Sequence, residues 1–170
     1  MKSIYALLLI AAITVLSCQK EAGNSNDETH LSIHLTDNPF NATEVNVDIQ
    51  EVRANFRNDS SSWITLSTHS GVYNLLGLQN GVDTLLASGN VPQDTLKEIR
   101  FVLGSNNSIM IDSTLFPLTI PSGSESGLKI KVNKKLNATM DSLLIDFDAA
   151  LSILKTGNGD YKLKPVLKLK

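Results

Sequence analysis

Apolar and polar side chains alternate with a period of two along most of the chain from Leu31 to Leu169. In residues 31–36, for example, leucine and isoleucine occupy the odd positions, and serine, histidine and threonine occupy the even ones. This period places the apolar side chains on one face of a strand and the polar ones on the other. Further strands are predicted at 45–49, 52–56, 63–67, 99–103, 109–111, 116–120, 128–132, 143–153 and 161–169.

Two details refine this pattern. The apolar phase shifts by one residue after Ile49, which predicts a β-bulge near Gln50 and Glu51. Residues 72–86 fit either two strands around the turn at 79–81 or one strand beside a helical turn.

Turn-forming residues separate the predicted strands at intervals of about eight to twelve residues. No segment of residues 31–170 carries a clear apolar stripe of a helix. We therefore predict an all-β fold, an antiparallel β-sandwich of about nine strands, formed by residues 31–170 as a single domain.

The last two strands, 143–153 and 161–169, predict a hairpin closed by the turn at 157–159. Both strands carry apolar side chains at odd positions, so paired residues must share parity if both apolar faces are to reach the core. Pro165 cannot donate a ladder hydrogen bond, so the last strand is expected to be an edge strand or to be interrupted there. The predicted pairs are Asp146 with Lys170, Phe147 with Leu169, and Asp148 with Lys168. The two ion pairs are expected on the exposed outer face, and the phenyl ring in the core.

The N-terminal segment is predicted to be a targeting signal followed by a linker, and not part of the folded domain. Lys2 is followed by an apolar run at 4–16, which is too short for a membrane-spanning helix and fits the core of a secretory signal. The run ends in Val-Leu-Ser-Cys18, which resembles the lipobox of bacterial lipoproteins. We therefore predict a signal peptide at 1–17, and a lipidated Cys18 with a flexible linker at 18–30.

Residues 19–21 (QKE) resemble the export signal of Bacteroidetes-type surface lipoproteins, in which a lysine and acidic residues follow the lipidated cysteine. This resemblance implies an outer-membrane protein that faces the cell surface. A single acidic residue follows the lysine here, so an ordinary linker is the alternative.

Composition excludes several classes of protein. The 170 residues include 15 basic and 17 acidic side chains, and the formal net charge of -2 gives no basic field for nucleic acid. The single cysteine cannot form an intrachain disulfide. A hydrophobic share of 42% and a mean hydropathy near zero exclude a disordered chain and a multi-span membrane protein.

The sequence holds no established catalytic or metal-binding pattern. His30 and His34 are expected about 13 Å apart on one strand face, too far to share a metal ion. The G-x-S-x-G, P-loop, HExxH and CxxC motifs are absent from the sequence. We therefore predict no enzymatic activity, no cofactor and no metal site.

The pair Asp146 and Asp148 is the main candidate for chemistry. Two residues apart on a strand, these side chains share a face and lie about 6.6 Å apart. That spacing suits a glycosidase-like acid pair or two ligands of a calcium site. Ion pairs with lysines of the neighbouring strand are the favoured interpretation. Asp37 and the single tryptophan, Trp63, complete the set of possible binding residues.

Several segments, in order along the chain, carry a family resemblance. They are 35–39 (LTDNP), 45–49 (VNVDI), 63–66 (WITL), 73–81 (YNLLGLQNG), 99–103 (IRFVL), 146–149 (DFDA) and 163–166 (LKPV). Together they resemble domain-of-unknown-function family 4382, found in bacterial surface lipoproteins. The resemblance implies a prealbumin- or immunoglobulin-like sandwich without an established activity. Residues 92–96 lack the Pro-x-Gly-x-Tyr turn usual in that family, which implies a differently built corner.

These observations favour a surface-tethered, monomeric module for binding or adhesion, whose partner is a glycan or an envelope protein. A structural or assembly component of the cell envelope is the alternative, and a hydrolase using Asp146 and Asp148 is a third interpretation. Some triplets also resemble an O-glycosylation motif of aspartate, a hydroxyl residue, and an aliphatic residue or threonine. Their hydroxyl residues are Thr84, Thr95, Ser113 and Ser142.

Overall fold

The structure, a computed structural model, describes residues 27–38, 40–57, 62–121 and 127–170. The predicted signal peptide, Cys18 and most of the predicted linker lie outside the described residues. No helix in the described ranges is long and apolar enough to span a bilayer.

The described residues form two β-sheets and very little helix. The strands are β1 (Glu28–Thr36), β2 (Glu44–Asn55), β3 (Trp63–Thr65), β4 (Ser67–Thr68), β5 (Gly71–Asn74), β6 (Thr84–Pro92), β7 (Thr95–Leu103), β8 (Ser108–Ile111), β9 (Thr114–Thr119), β10 (Leu128–Lys135), β11 (Met140–Phe147), β12 (Ile153–Lys155), β13 (Tyr161–Leu163) and β14 (Leu167–Leu169). The helices are a 3₁₀-helix (Leu75–Leu78) and α1 (Ala149–Ser152). β1 begins within the segment predicted as linker.

The two sheets confirm the predicted all-β sandwich. The first sheet has five strands in the order β14-β11-β1-β6-β4. The second has nine, in the order β10-β7-β2-β8-β9-β13-β12, with β3 and β5 also paired to β2.

One hydrophobic core contains side chains from both sheets. β1 contributes Leu31, Ile33 and Leu35, and β11 contributes Ile145 and Phe147, all fully buried. Each such side chain stabilises the fold by about 1.5–3 kcal/mol relative to an exposed one. The alternation in these strands therefore decides which face of each sheet lies inside, as predicted.

The structure shows the outcome of two local predictions, the β-bulge in β2 and the ambiguous segment 72–86. β2 shifts register against β7 between Ile49 and Glu51, which confirms the predicted β-bulge. The ambiguous segment 72–86 holds the end of β5, the 3₁₀-helix and the start of β6. Asn74 caps that helix, because its side chain accepts a hydrogen bond from the Leu76 amide.

Two strand pairs are parallel, which corrects the prediction of a purely antiparallel sandwich. β1 pairs in parallel with β11, so that Thr36 lies opposite Asp146, and β9 pairs in parallel with β13. Alternating side chains reveal which face of a strand is buried but not its direction, because parallel and antiparallel strands share the same period.

The predicted hairpin of 143–153 with 161–169 is confirmed next to its turn, where Ile153 lies opposite Leu163 in the predicted register, and is wrong farther from the turn. β11 ends at Phe147, and α1 separates it from β12, which pairs with β13. β14 follows a break at Pro165 and is an edge strand, as predicted. It pairs with β11 so that Asp146 lies opposite Lys168, two residues from the predicted partner. The prediction assigns all these residues to one continuous ladder, but α1 interrupts the first strand and the break at Pro165 interrupts the second.

Candidate functional site

The structure brings together three of the predicted binding residues. Asp37 follows β1, Asp146 lies near the end of β11, and Asp148 follows β11. The side-chain amide of Asn38 joins them, because it donates to Asp146 Oδ2 at 2.6 Å and to Asp148 Oδ2 at 3.5 Å. We call these four residues the carboxylate cluster. The other predicted binding residue, Trp63, lies on the second sheet.

The parallel pairing of β1 with β11 assembles the carboxylate cluster. Because Thr36 lies opposite Asp146 in a parallel ladder, the C-terminal ends of both strands meet at one edge of the first sheet. The segment after β1 then contacts the segment after β11. The predicted hairpin gave no reason for Asp37 to approach Asp146.

Asp37 is enclosed, with 2% of its surface exposed. Its Oδ1 accepts a hydrogen bond from the Ala149 amide at 2.9 Å, and its Oδ2 accepts one from the Gln79 side chain at 3.2 Å. Burial raises the pKa of Asp37 above its usual value, against these hydrogen bonds and with a smaller contribution from the charge of Asp146. Both carboxylate oxygens of Asp37 already accept hydrogen bonds from the protein, so Asp37 is poorly placed to contact a substrate.

Asp148 is both the N-cap of α1 and the ion-pair partner of Lys168. Its Oδ1 accepts from the Leu151 amide at 3.0 Å, and its Oδ2 accepts from Lys168 Nζ at 2.6 Å. Burial raises the pKa of Asp148, but the hydrogen bonds from Lys168 and the Leu151 amide, together with the lysine charge, outweigh burial and hold the pKa below its usual value. Asp148 is therefore ionised at neutral pH.

Asp146 and Asp148 are 1% and 4% exposed, which corrects their predicted place on the outer surface. The predicted lysine partners are right, since Lys168 pairs with Asp148 and Lys170 Nζ lies 3.4 Å from Asp146 Oδ2. The carboxylates are nevertheless covered, because Asn38 contacts both of them. Among the described residues, Asp146 Oδ1 has no hydrogen-bond partner.

These contacts favour a structural role for the carboxylate cluster over hydrolysis. A general acid must hold its proton and reach the substrate. Asp148 is held ionised by Lys168, and Asp37 is enclosed. In the described ranges, no group of three or more His, Cys, Asp or Glu residues is placed to hold a metal ion. The cluster instead links the end of β1 to α1 and β14.

The acid response of the fold tests the Asp148 ion pair. Because the pKa of Asp148 is lower in the folded state than in the unfolded state, its contribution to stability is complete above the usual value of 3.8 and is lost as pH falls through the folded-state pKa. We expect Asp148→Asn to lose less stability than the wild type between about pH 6 and about pH 2.5, measured by urea denaturation.

Asp112→Asn is the control for this test, because Asp112 is exposed in the turn between β8 and β9. Its acid response should match that of the wild type. Asp37 has the opposite effect on the pH dependence of stability. Because its pKa is raised in the folded state, its contribution to stability is present at low pH and is lost as pH rises. If Asp148→Asn loses as much stability as the wild type when the pH is lowered, the ion-pair argument is contradicted.

Trp63 packs against two cations on the second sheet. The guanidinium carbon of Arg100, on β7, lies 4.1 Å from the centroid of the Trp63 ring system. Lys129 Nζ, on β10, lies 5.7 Å from the same centroid. Each contact of this kind contributes about 0.5–1 kcal/mol at an exposed site. The indole therefore serves as a platform for cations, which the sequence alone did not indicate.

Strand register places three basic side chains in one row. Lys129 of β10 lies opposite Arg100 of β7, and Arg100 lies opposite Arg53 of β2. Residues in register point to the same face of a sheet. Ile99 and Phe101, on either side of Arg100, are fully buried in the core, so the row lies on the outer face. We call Arg53, Arg100 and Lys129 the cation row.

The cation row lacks full charge compensation. Arg53 pairs with Glu51, but no carboxylate of the described residues forms an ion pair with Arg100 or Lys129. Within the same ranges, Arg100 Nε and Trp63 Nε1 are buried without a hydrogen-bond partner. Like charges directly opposite each other destabilise a sheet, and an unpaired buried donor costs about 1–3 kcal/mol. The row is therefore complementary to an anion.

Gly127 allows the Arg100 side chain to lie against the backbone. Its φ of +82° is favourable for glycine, and an added Cβ would lie 2.8 Å from Arg100 Cγ. A larger residue at this position would displace the guanidinium. The glycine thus helps to fix Arg100 over the indole.

The hydroxyl residues of the glycosylation-like triplets are spread over both sheets. Thr84 and Thr95 are half-buried at the starts of β6 and β7. Ser113 is exposed in the turn between β8 and β9, and Ser142 is exposed on β11. The predicted lipidation residue, Cys18, lies outside the described residues.

One family profile, described as Domain of unknown function (DUF4382), matches residues 28–165. The match begins at the first residue of β1 and includes the carboxylate cluster and the cation row. Lys168 and Lys170 of the C-terminal segment lie beyond it. No curated protein and no solved structure matches the chain.

Proposed function

We propose that this chain, which belongs to the DUF4382 family of domains of unknown function, binds an anionic group of a surface ligand without transforming it. The observation that carries this proposal is the cation row. Arg100 and Lys129 lie opposite each other over the indole of Trp63, and neither has an ion-pair partner among the described residues.

The chemistry of the row matches carboxylate, sulfate and phosphate groups. A guanidinium binds each of these through two parallel hydrogen bonds, and the ammonium of Lys129 adds a compact positive charge. An anion placed between Arg100 and Lys129 would relieve their mutual repulsion. Trp63 keeps the two cations close to one another in the absence of the ligand.

The N-terminal segment supports a role at the cell surface. A diacylated Cys18 would attach the chain to the outer membrane, and the polar linker that follows would hold the domain away from the lipid. In that position a monomeric domain would present the cation row to acidic groups of a glycan or of an envelope protein. Binding or adhesion is therefore the proposed role.

Retention on a dextran sulfate resin tests the proposal. We expect the wild-type domain to be retained at low salt, because exposed cations bind a polyanion electrostatically. The double variant Arg100→Gln, Lys129→Gln should elute at a clearly lower sodium chloride concentration. It removes the unpaired cations and leaves the paired Arg53 in place.

A charge-matched control separates the cation row from net charge. Lys131 and Lys135 are also exposed on β10, so Lys131→Gln, Lys135→Gln removes the same charge from the same strand. This control should elute close to the wild type. Coincident elution of the two double variants would contradict a site at Arg100 and Lys129. Titration with polygalacturonate and neutral dextran then tests whether a carboxylate polymer binds and an uncharged one does not.

A further inference from the structure

A pocket of about 260 Å³ lies beside β9 and β13, several strands from the cation row in the second sheet. Its lining residues are Phe116, Pro117, Thr119, Asp160, Tyr161 and Lys162. None of these belongs to the carboxylate cluster or the cation row, so the pocket is independent of the proposed function.

The parallel pairing of β9 with β13 builds the aromatic part of this pocket. Tyr161 lies opposite Leu118, and Lys162 lies opposite Thr119. This register brings the rings of Phe116 and Tyr161 together, with centroids 5.1 Å apart and planes tilted by 56°. The pocket therefore has an apolar surface that is continuous with the core, because Tyr161, 9% exposed, belongs to the core and Phe116 packs against it.

Polar groups without protein partners surround that surface. No hydrogen bond from the described residues reaches the Tyr161 hydroxyl, which is free to donate or accept. Asp160 and Lys162 flank Tyr161 in the chain and are exposed, and neither side chain forms an ion pair within the described ranges. The lining residues, with one carboxylate and one ammonium, have a formal charge of zero. Lys155 is not a lining residue, but its Nζ lies 5.7 Å from the centroid of the Tyr161 ring.

We propose that this pocket binds one uncharged sugar residue of a glycan. The pocket's volume of about 260 Å³ lies just below the roughly 300 Å³ at which small-molecule pockets begin, which limits the occupant to one pyranose-sized ring and excludes a longer chain. A sugar offers an apolar C–H face to Phe116 and Pro117 and hydroxyl groups to the polar side chains. The balanced charges of Asp160 and Lys162 favour an uncharged ligand over the anion expected at the cation row.

Each polar group has a distinct role in this arrangement. The Asp160 carboxylate accepts hydrogen bonds from sugar hydroxyls, and Lys162 donates to a hydroxyl or ring oxygen. The Tyr161 hydroxyl can do either, while its ring packs against Phe116. Charge-assisted hydrogen bonds are the stronger ones, so Asp160 is expected to contribute more to affinity than the Tyr161 hydroxyl.

Saturation-transfer NMR with glucose, galactose, mannose and N-acetylglucosamine tests this proposal. We expect at least one of these sugars to receive saturation from the protein. Its affinity should fall about tenfold in Asp160→Ala and about fivefold in Tyr161→Phe, which retains the ring. Asp112→Ala removes an exposed aspartate from another turn and should leave the affinity unchanged.

Two results would overturn the proposal. One is the absence of saturation transfer to all four sugars, or transfer that Asp160→Ala leaves unchanged. The other is preferential binding of galacturonate over galactose at this pocket. The variant Arg100→Gln, Lys129→Gln should bind the sugar with the affinity of the wild type. A failure of the sugar-binding proposal can therefore be distinguished from a failure of the proposed anion binding at the cation row.

Discussion

Replacing Phe147 with alanine is expected to lower the free energy of unfolding by about 3–5 kcal/mol. Phe147 is fully buried at the end of β11, where Leu167 of β14 lies opposite it. Truncation removes the packing contacts of the ring and leaves a cavity. The strands around it are fixed by ladder hydrogen bonds, so the cavity can close only in part. Urea denaturation followed by far-UV circular dichroism measures the loss.

Leu151→Ala is the matched control, because the same odd-numbered pattern placed Leu151 and Phe147 on one apolar face. Leu151 lies on α1 and is 55% exposed. Its truncation should change the free energy of unfolding by no more than about 0.5 kcal/mol. Equal losses for the two variants would contradict the position of β11 in the core.

The contrast between these two residues shows where side-chain alternation stops predicting the fold. As far as Phe147 the chain is a strand, and its odd positions are buried. Asp148 then caps α1, whose turn moves Leu151 off the core face. Aspartate before Ala-Ala-Leu is a helix-start signal. Apolar residues at 149, 151 and 153 fit a strand as well, so the pattern alone could not decide.

Features set by the local backbone were predictable from the sequence. The buried face of β1 follows directly from its alternation, because successive side chains point to opposite sides of any strand. The bulge after Ile49 in β2 was predictable for the same reason, since a change of apolar phase needs an extra residue in the ladder. Both features depend only on residues close together in sequence.

The carboxylate cluster depends on contacts that the local pattern does not contain. Asp37 meets Asp146 only because β1 and β11 pair in parallel. The burial of Asp146 and Asp148 was also unpredictable, because an isolated carboxylate costs free energy to bury and is expected to be exposed. Here Asn38, Lys168 and Lys170 offset that cost.

The cation row also depends on contacts that the local sequence pattern does not contain. Trp63 stood out in the sequence as the single tryptophan. Arg100 and Lys129 did not, because they join it only through the register of β10, β7 and β2. Each alternating segment predicts which side chains face outward. The neighbours that those side chains meet on the outer face depend on strand order, which is a property of the whole sheet.

Gly104→Ala is the second substitution with a large expected effect. A Cβ at Gly104 would lie 2.6 Å from Asp48 Cγ and closer still to Asp48 Oδ2. Asp48 is 3% exposed and cannot turn away, because its carboxylate accepts from the Gln50 side chain and, at 3.1 Å, from the Asn106 amide. The substitution must break these bonds or move the loop, so we expect a loss of at least about 2 kcal/mol in urea denaturation.

Two comparisons identify the cause of that loss. Gly157→Ala should be nearly neutral, within about 0.5 kcal/mol, because an added Cβ there meets no heavy atom within 4 Å. In an Asp48→Ala background the carboxylate is absent and the added methyl group has room. The loss caused by Gly104→Ala should then be smaller by at least about 1 kcal/mol, as expected for residues in contact. Equal losses in both backgrounds would contradict the close approach of Gly104 to Asp48 as the reason for glycine at this position.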